Sequence, residues 1–161
     1  MFLSFSRNYI LKLLVICLVV FIIQINLPEI IIYNNFKINL DLLLLVFTIL
    51  VFIKSTFLLI IFAFIFGLIN DVILNIEQVG LMSFIKSLTV YLLLYIRNYD
   101  TIWSWHIKIF YIFLIYFFHF NIYYLIIYDS YNIYISILSI IQALLSIFIF
   151  YVFNKLFFNI K

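Results

Sequence analysis

The stretch that decides the fold is residues 67–80, GLINDVILNIEQVG, which lies in the middle of a strongly apolar chain and holds both of its glycines. Gly67 and Asp71 are four residues apart, so they share one face of a helix. Gly67 allows a neighbouring helix to approach closely. Asn75 is a plausible end of that helix, NIEQ a tight exterior turn, and Gly80 the start of the next helix. The stretch therefore predicts a close-packed helical hairpin with an acidic tip.

The composition predicts that the solvent around this hairpin is lipid. Of 161 residues, 70% are hydrophobic and only 9% are charged, too few polar residues to cover a soluble domain. The nine Lys and Arg residues are scattered singly and the net charge is +3, which does not indicate nucleic-acid binding. Cys17 is the single cysteine, so no intrachain disulfide forms, and we expect it to be a small apolar residue inside a helix.

Apolar segments near the length of a membrane span follow one another along the whole chain. We predict one all-α integral membrane domain, residues 1–161, with six transmembrane helices and short connections. The first segment follows Arg7 and Lys12 as in a signal peptide, but no small-residue cleavage site follows it, so we interpret it as a retained helix ended by Pro28. The predicted spans are 9–27, 38–53, 57–75, 79–96, 107–127 and 132–153.

The distribution of Lys and Arg predicts the orientation, because these residues favour the cytoplasmic side of a membrane. With a cytoplasmic N-terminus and six spans, both termini are cytoplasmic and only Lys37 and Lys86 lie toward the outside. We therefore predict a multi-pass protein of the bacterial cytoplasmic (inner) membrane. Aromatic residues that favour the headgroup level flank the fourth connection: Tyr95, Tyr99, Trp103 and Trp105. The basic residues predicted at the inner side are Arg7, Lys12, Lys54, Arg97, Lys108, Lys155 and Lys161.

No constellation typical of an intramembrane enzyme is present in the sequence. A serine hydrolase would need a glycine-flanked nucleophile, and GxSxG does not occur. A metalloprotease would need an HExxH-like pair, whereas His106 and His119 are thirteen residues apart with no carboxylate nearby in sequence. The acidic residues are dispersed among the connections rather than clustered as a Mg²⁺ site requires. We expect no enzymatic activity, no catalytic or metal-binding residue and no cofactor.

Ionisable residues inside the predicted spans each need an explanation. Asp41 begins the second helix and Asp71 lies near the end of the third, so both fall near the outer boundary of the bilayer. Lys86 lies roughly 10 Å into the fourth helix from the same side. One hypothesis pairs Lys86 with Asp71 or Asp41. In the other, which the sequence slightly favours, the carboxylates reach interfacial water and Lys86 extends to the interface alone.

Three further polar residues fall near mid-membrane in the fifth and sixth helices, namely His119, Asn121 and Gln142. One interpretation makes them a substrate or proton site. The interpretation we favour makes them hydrogen-bond donors and acceptors between helices, each bond worth about 1 kcal/mol. Gln24 is interpreted as a polar residue near the outer end of the first helix.

The hairpin resembles the rod shape-determining protein MreD family. The family pattern is a Gly, an Asp four residues later, a short polar turn, a second Gly-Leu step and then Ser-x-x-x-Tyr-Leu. Weaker matches are Gln24 ahead of Pro28 and the Asp41-Leu42 step, and the length and number of spans agree along the whole chain. The matching positions are Gly67, Asp71, Gly80, Leu81, Ser87, Tyr91 and Leu92.

The sequence departs from the family pattern at three places. Asn39 and Leu40 stand where the family often has a proline before Asp41. Lys86 occupies a position that is normally small or apolar. NIEQVG replaces the family's small-residue turn. These departures put the loop geometry and the role of Lys86 in question.

The resemblance implies a non-enzymatic component of the cell-elongation machinery that binds MreC directly, and through it MreB, the RodA glycosyltransferase and its transpeptidase, organising lateral peptidoglycan synthesis. It also implies a fold resembling the substrate-binding subunit of energy-coupling-factor transporters. Such a vitamin-binding subunit is the alternative function. The first helix lacks the AxxxA steps with which these subunits dock their coupling subunit, and the exterior connections are short for covering a pocket.

Overall fold

The computed structural model describes residues 7–28, 30–33, 36–54, 56–74, 79–99, 101–128 and 133–158. Within these ranges the chain forms six α-helices joined by short connections, each helix coinciding with one predicted segment to within a few residues. A π-helical turn, Asn154–Phe158, extends the last helix. The helices are α1 Arg7–Asn26, α2 Leu42–Ile53, α3 Leu58–Leu74, α4 Leu81–Asn98, α5 Trp105–Tyr128 and α6 Ile133–Phe153.

A β-hairpin between α1 and α2 was not predicted, and it corrects the predicted span 38–53. Strand β1, Ile30–Tyr33, pairs antiparallel with β2, Phe36–Ile38, and α2 begins only at Leu42. The run of β-branched isoleucines at 30–32 favours an extended strand. The isoleucine run does not stand out as a strand, because it is as apolar as the start of a membrane-spanning helix.

The distribution of polar and apolar side chains is that of a membrane protein. Within the described ranges, three helices are long and apolar enough to cross a bilayer: Asn8–Asn26, Trp105–Tyr128 and the segment Ile133–Leu156. On α1 large aliphatic side chains such as Val15 and Ile22 are more than half exposed. Lys86, His119 and other polar groups are buried instead. Since no soluble protein presents this much aliphatic surface to water, the exposed helix faces indicate a lipid environment.

Helix α4 lies at the centre of the packing, in contact with α2, α3 and α5. Its most extensive contact is with α3, and at Gly67 the two helices lie close together. A β-carbon added at Gly67 would lie 2.3 Å from Cα of Ser83, so no other residue fits there without moving the helices apart. The prediction that Gly67 permits close packing of the α3–α4 hairpin is therefore confirmed. The predicted turn 75–78, with Asn75, lies outside the described residues.

Aromatic rings form a continuous stack at the opposite end of α4, where it connects to α5. The ring centroids of Tyr95 and Tyr99 are 5.1 Å apart. Tyr99 stacks on Trp103 with a centroid distance of 5.2 Å, and Trp103 stacks on Tyr111 with a centroid distance of 4.6 Å. The stack fixes the α4–α5 connection and brings together three of the four aromatic residues that the sequence placed at a headgroup level.

Candidate functional site

The candidate site is a cluster of buried polar side chains near the start of α2, and Asp41 is its centre. Asp41 is the N-cap residue of α2, where its Oδ1 accepts a hydrogen bond of 3.0 Å from the backbone N–H of Leu44. The N–H of Leu43 donates to Oε1 of Gln24, on α1, at 3.0 Å. Two backbone donors that a helix start leaves unpaired are thus satisfied, one of them by a different helix.

Lys86 forms a buried ion pair with Asp41. Its Nζ lies 2.8 Å from Oδ2 and 3.1 Å from Oδ1, and its side chain is completely buried. The favoured hypothesis, that Lys86 reaches interfacial water alone, is therefore wrong, and of the two proposed partners Asp41 is the correct one. The physical reason is the α2–α4 contact, which puts the start of α2 beside the second turn of α4. A charge desolvated at that depth is stable only with a counterion.

His119, on α5, completes the cluster from the third side. Its Nδ1 lies 2.9 Å from Oγ1 of Thr89 on α4, and its Nε2 lies 3.7 Å from Oδ2 of Asp41. The imidazole is buried, and within the described part of the chain Nε2 has no hydrogen-bond partner. No local sequence pattern indicates a carboxylate near this histidine, because Asp41 and His119 come from elements far apart in the chain.

A cavity of about 120 Å³ opens beside these groups. It reaches from the end of α1 and the start of α2 to His119 on α5. Apolar side chains, among them Met82 and Phe120, form the rest of the wall. The polar residues that line the cavity are Gln24, Asn39, Asp41, Asn70, His119, Tyr123 and Gln142.

Hydrogen bonds between helices occupy the polar residues of α5 and α6. Tyr124 donates to Oε1 of Gln142, and Nε2 of Gln142 donates to the carbonyl of Asn39 at 2.6 Å. Asn121 lies 3.4 Å from Oγ of Ser139. The favoured interpretation of Asn121 and Gln142 as helix-to-helix hydrogen-bonding groups is confirmed. His119 bonds to Thr89 of α4 in the same way, but it also borders the cavity.

Asp71, on α3, accepts hydrogen bonds from the backbone at the start of α4. Its carboxylate accepts backbone hydrogen bonds of 3.0 Å from Gly80, 3.1 Å from Met82 and 3.3 Å from Ser83. Gly80 itself is the N-cap residue, with a φ of 102° that suits glycine, and Asp71 supplies from α3 the acceptors that glycine cannot. Asp71 is buried and, within the described residues, no cation contacts it. It is a packing residue, and its burial leaves it unable to contact a partner at the surface.

The remaining predicted residues lie outside the cluster. Ser87 is partly exposed and donates to the carbonyl of Phe84 at 2.9 Å, and Tyr91 is 54% exposed. Both therefore lie on the outward side of α4, open to lipid or a partner. Cys17 is buried in the apolar core, as predicted. Among the residues that the structure describes, no three His, Cys, Asp or Glu side chains come together as a metal site would need.

Comparison with known proteins places no relative beside this chain: no protein-family model, curated protein or solved structure matches it. Its function is therefore argued from the residues themselves.

Proposed function

We propose that this protein is a non-enzymatic membrane component of the bacterial cell-elongation machinery, related to MreD, and that it binds the bitopic protein MreC within the cytoplasmic membrane. The observation that carries the proposal is the α3–α4 hairpin. The residues behind the resemblance, Gly67, Asp71 and Gly80, act together there: one sets the helix separation, and the other two form the start of α4. A motif whose members make one structural unit supports an architectural role.

The proposed topology has all six helices crossing the membrane and both termini in the cytoplasm. Three helices meet the length and composition of a span by themselves. In this proposal the shorter α2 and α3 cross with them, because they are apolar and packed inside the same bundle. Helix α4 has a lower mean hydropathy because it contains Lys86 and Arg97, but the burial of Lys86 removes the main objection to a membrane location.

The outward side of α4 is the proposed contact for MreC. Large side chains on α4 form a stripe at helical spacing, with Phe84 63% exposed, Tyr91 54% exposed and Tyr95 51% exposed. Ser87, small and next to this stripe, leaves room for the backbone of a second helix to approach. MreC has one membrane-spanning helix, and such a helix could lie along the stripe.

Loss of the protein in its native host tests the cellular role. Depletion is expected to turn rods into rounded cells, because lateral wall synthesis loses its membrane organiser. Cells that keep a normal rod shape and a normal pattern of wall insertion after depletion would contradict the proposal.

Co-purification tests the partner and the contact face together. MreC is expected to be retained on the tagged wild-type chain and lost, at least several-fold, from Tyr91→Ala. Tyr134→Ala is the matched control, because Tyr134 is 55% exposed on α6, a different helix. Equal loss from both variants would reject α4 as the contact face, and no retention by the wild type would reject MreC as the partner.

The alternative function, a transporter subunit that binds a vitamin, would need a ligand pocket, and the size of the cavity counts against it. Ligand pockets of that kind typically measure about 300–1,000 Å³. The cavity here, at about 120 Å³, is well below that range. Nanomolar binding of a vitamin together with failure to retain MreC would establish the alternative.

A further inference from the structure

The proton positions around His119 can be worked out from its neighbours. Thr89 donates its single hydroxyl proton to the carbonyl of Ile85, at 2.7 Å. The same oxygen therefore accepts the hydrogen bond that joins it to Nδ1 of His119, at 2.9 Å. Nδ1 must carry a proton, and in a neutral imidazole Nε2 is then a hydrogen-bond acceptor.

Two acceptors consequently face each other at the edge of the cavity. Nε2 of His119 lies 3.7 Å from Oδ2 of Asp41, and within the described residues Nε2 has no hydrogen-bond partner. A buried acceptor without a donor is costly, and a second acceptor beside it adds repulsion. The geometry therefore requires hydrogen-bond donors between or beside these two atoms.

The charge balance of the cluster indicates that the donor is uncharged. Lys86 already neutralises Asp41 through contacts of 2.8 and 3.1 Å. A second cation, whether a protonated His119 or a bound amine, would give the cluster of Asp41, Lys86 and His119 a net positive charge, and an anion would meet the Asp41 carboxylate. Neutral hydroxyl and amide groups satisfy two acceptors without either penalty.

The size of the cavity indicates more than one water molecule. A single water occupies about 10–15 Å³ by the same measure of volume, whereas the cavity holds about 120 Å³. Besides His119 and Asp41 the wall presents the buried amide of Asn70 and the apolar side chains of Met82 and Phe120. Such a wall fits a molecule with several hydroxyls on a short carbon skeleton.

We propose that this cavity is a binding site for an uncharged polyol, with two neighbouring hydroxyls donating to Nε2 of His119 and to the carboxylate of Asp41. The polyol is either free in water or the head of a lipid whose chains lie in the bilayer. The site is independent of MreC binding, since its residues face the interior of the bundle and the proposed contact stripe lies on the outward side of α4.

The binding test compares two lipids. One is a 1-monoacylglycerol, whose glycerol head carries a vicinal diol and a single acyl chain. The other is the methyl ester of the same fatty acid, which has no hydroxyl. The purified full chain is exposed to each lipid in detergent and the retained molecules are counted by native mass spectrometry. The wild type is expected to retain one monoacylglycerol and to lose it at least tenfold in His119→Phe, which removes the acceptor and keeps an aromatic ring. His106→Phe, on the same helix, is expected to behave as the wild type does.

Competition by free glycerol distinguishes the two sources. Displacement of the monoacylglycerol by glycerol would assign the site to a soluble polyol, and resistance to it would assign the site to a lipid head. Equal retention of the diol and the methyl ester, equal retention by wild type and His119→Phe, or no retention of either lipid and no effect of glycerol would each overturn the proposal, the last leaving the cavity to water alone.

A second measurement does not depend on the folding of His119→Phe. With His106→Gln, His119 is the one histidine left, and its ¹⁵N resonances report the protonation of each ring nitrogen. A neutral ring with the proton on Nδ1, and an Nε2 resonance that moves when glycerol or the monoacylglycerol is added, is expected. An imidazolium spectrum at neutral pH would overturn the proposal, because the ring would then be its own donor to Asp41.

Discussion

The carboxylates of Asp41 and Asp71 lie at the starts of two neighbouring helices, α2 and α4, and they are stabilised in different ways. Asp71 accepts three hydrogen bonds from the backbone at the start of α4, with no contacting cation among the described residues. Asp41 caps its own helix with one bond and takes the rest of its stabilisation from the Lys86 ammonium. One aspartate is held by peptide dipoles, the other by an ion pair.

This difference determines which substitutions are tolerated at each of the two aspartate positions. The backbone N–H donors are neutral. The oxygen of an amide at position 71 can therefore still accept some of their hydrogen bonds. The partner of Asp41 carries a full charge, so an amide at position 41 leaves an ammonium buried without a counterion. The same Asp-to-Asn change should therefore lower the free energy of unfolding much more at position 41 than at position 71.

The largest effect is expected from Lys86→Met, which leaves the Asp41 carboxylate buried and unpaired. We expect the free energy of unfolding to fall by about 3–5 kcal/mol, measured by titration with a denaturing detergent. The double variant Lys86→Met/Asp41→Asn removes both charges and should recover most of that loss. Stability unchanged in Lys86→Met would mean that the ion pair contributes nothing.

Substitution by Asn compares the contributions of Asp41 and Asp71 to stability directly. Asp41→Asn strands the Lys86 charge and should cost nearly as much as Lys86→Met. Asp71→Asn keeps one acceptor and should cost about 1 kcal/mol, whereas Asp71→Ala, which removes every acceptor, should cost about 2 kcal/mol. Unfolding free energies of the three variants under one set of conditions check this order, and a larger loss in Asp71→Asn than in Asp41→Asn would reverse the comparison.

Gly67→Ala tests the helix contact that brings Asp71 to α4. The added carbon would lie 2.3 Å from Cα and 2.8 Å from the backbone nitrogen of Ser83, so the helices must separate, at about 1–3 kcal/mol. The clash is with backbone atoms, so Ser83→Gly should fail to restore stability in the double variant. Restoration would show instead that the Ser83 hydroxymethyl group is the obstacle.

A smaller effect than at Gly67 is expected from Gly80, where space is not limiting. No atom lies within 4 Å of an added β-carbon, but the backbone φ of 102° disfavours other residues. Gly80→Ala should cost about 1–2 kcal/mol, and Gly80→Asn should cost less, because Asn tolerates left-handed conformations better than Ala does. Melting temperatures in a mild detergent would compare the two, and equal values would argue against backbone strain.

The parts of this fold that sequence could predict are those set by local pattern. Six apolar segments predicted six helices, and the spacing of Gly67, Asp71 and Gly80 predicted the α3–α4 hairpin, because hairpin partners are close in sequence. The β1–β2 hairpin left its own local signal in the isoleucine run, which the surrounding hydrophobicity obscured.

The candidate site depends on contacts that no local pattern contains. Asp41 and Lys86 are 45 residues apart, and Gln142 bonds to Asn39 across 103 residues. Each residue of the site can be recognised individually in the sequence, because it is polar in an apolar segment. These residues are Asp41, Lys86, His119 and Gln142. The sequence did not assemble them, because their meeting depends on which helices pack together and in what rotation about their axes.

In the proposed six-span topology, the 45-residue separation of Asp41 from Lys86 also imposes an order on membrane insertion. Asp41 leaves the ribosome well before its counterion, and α2, with twelve residues, is short for a stable independent insertion. Until α4 has been synthesised, the carboxylate gains by staying in water, so α2 settles fully only when Lys86 arrives to neutralise it. The ion pair thus makes late insertion of one helix depend on the synthesis of another, and a chain truncated before α4 would present an incompletely inserted α2 to membrane quality-control proteases.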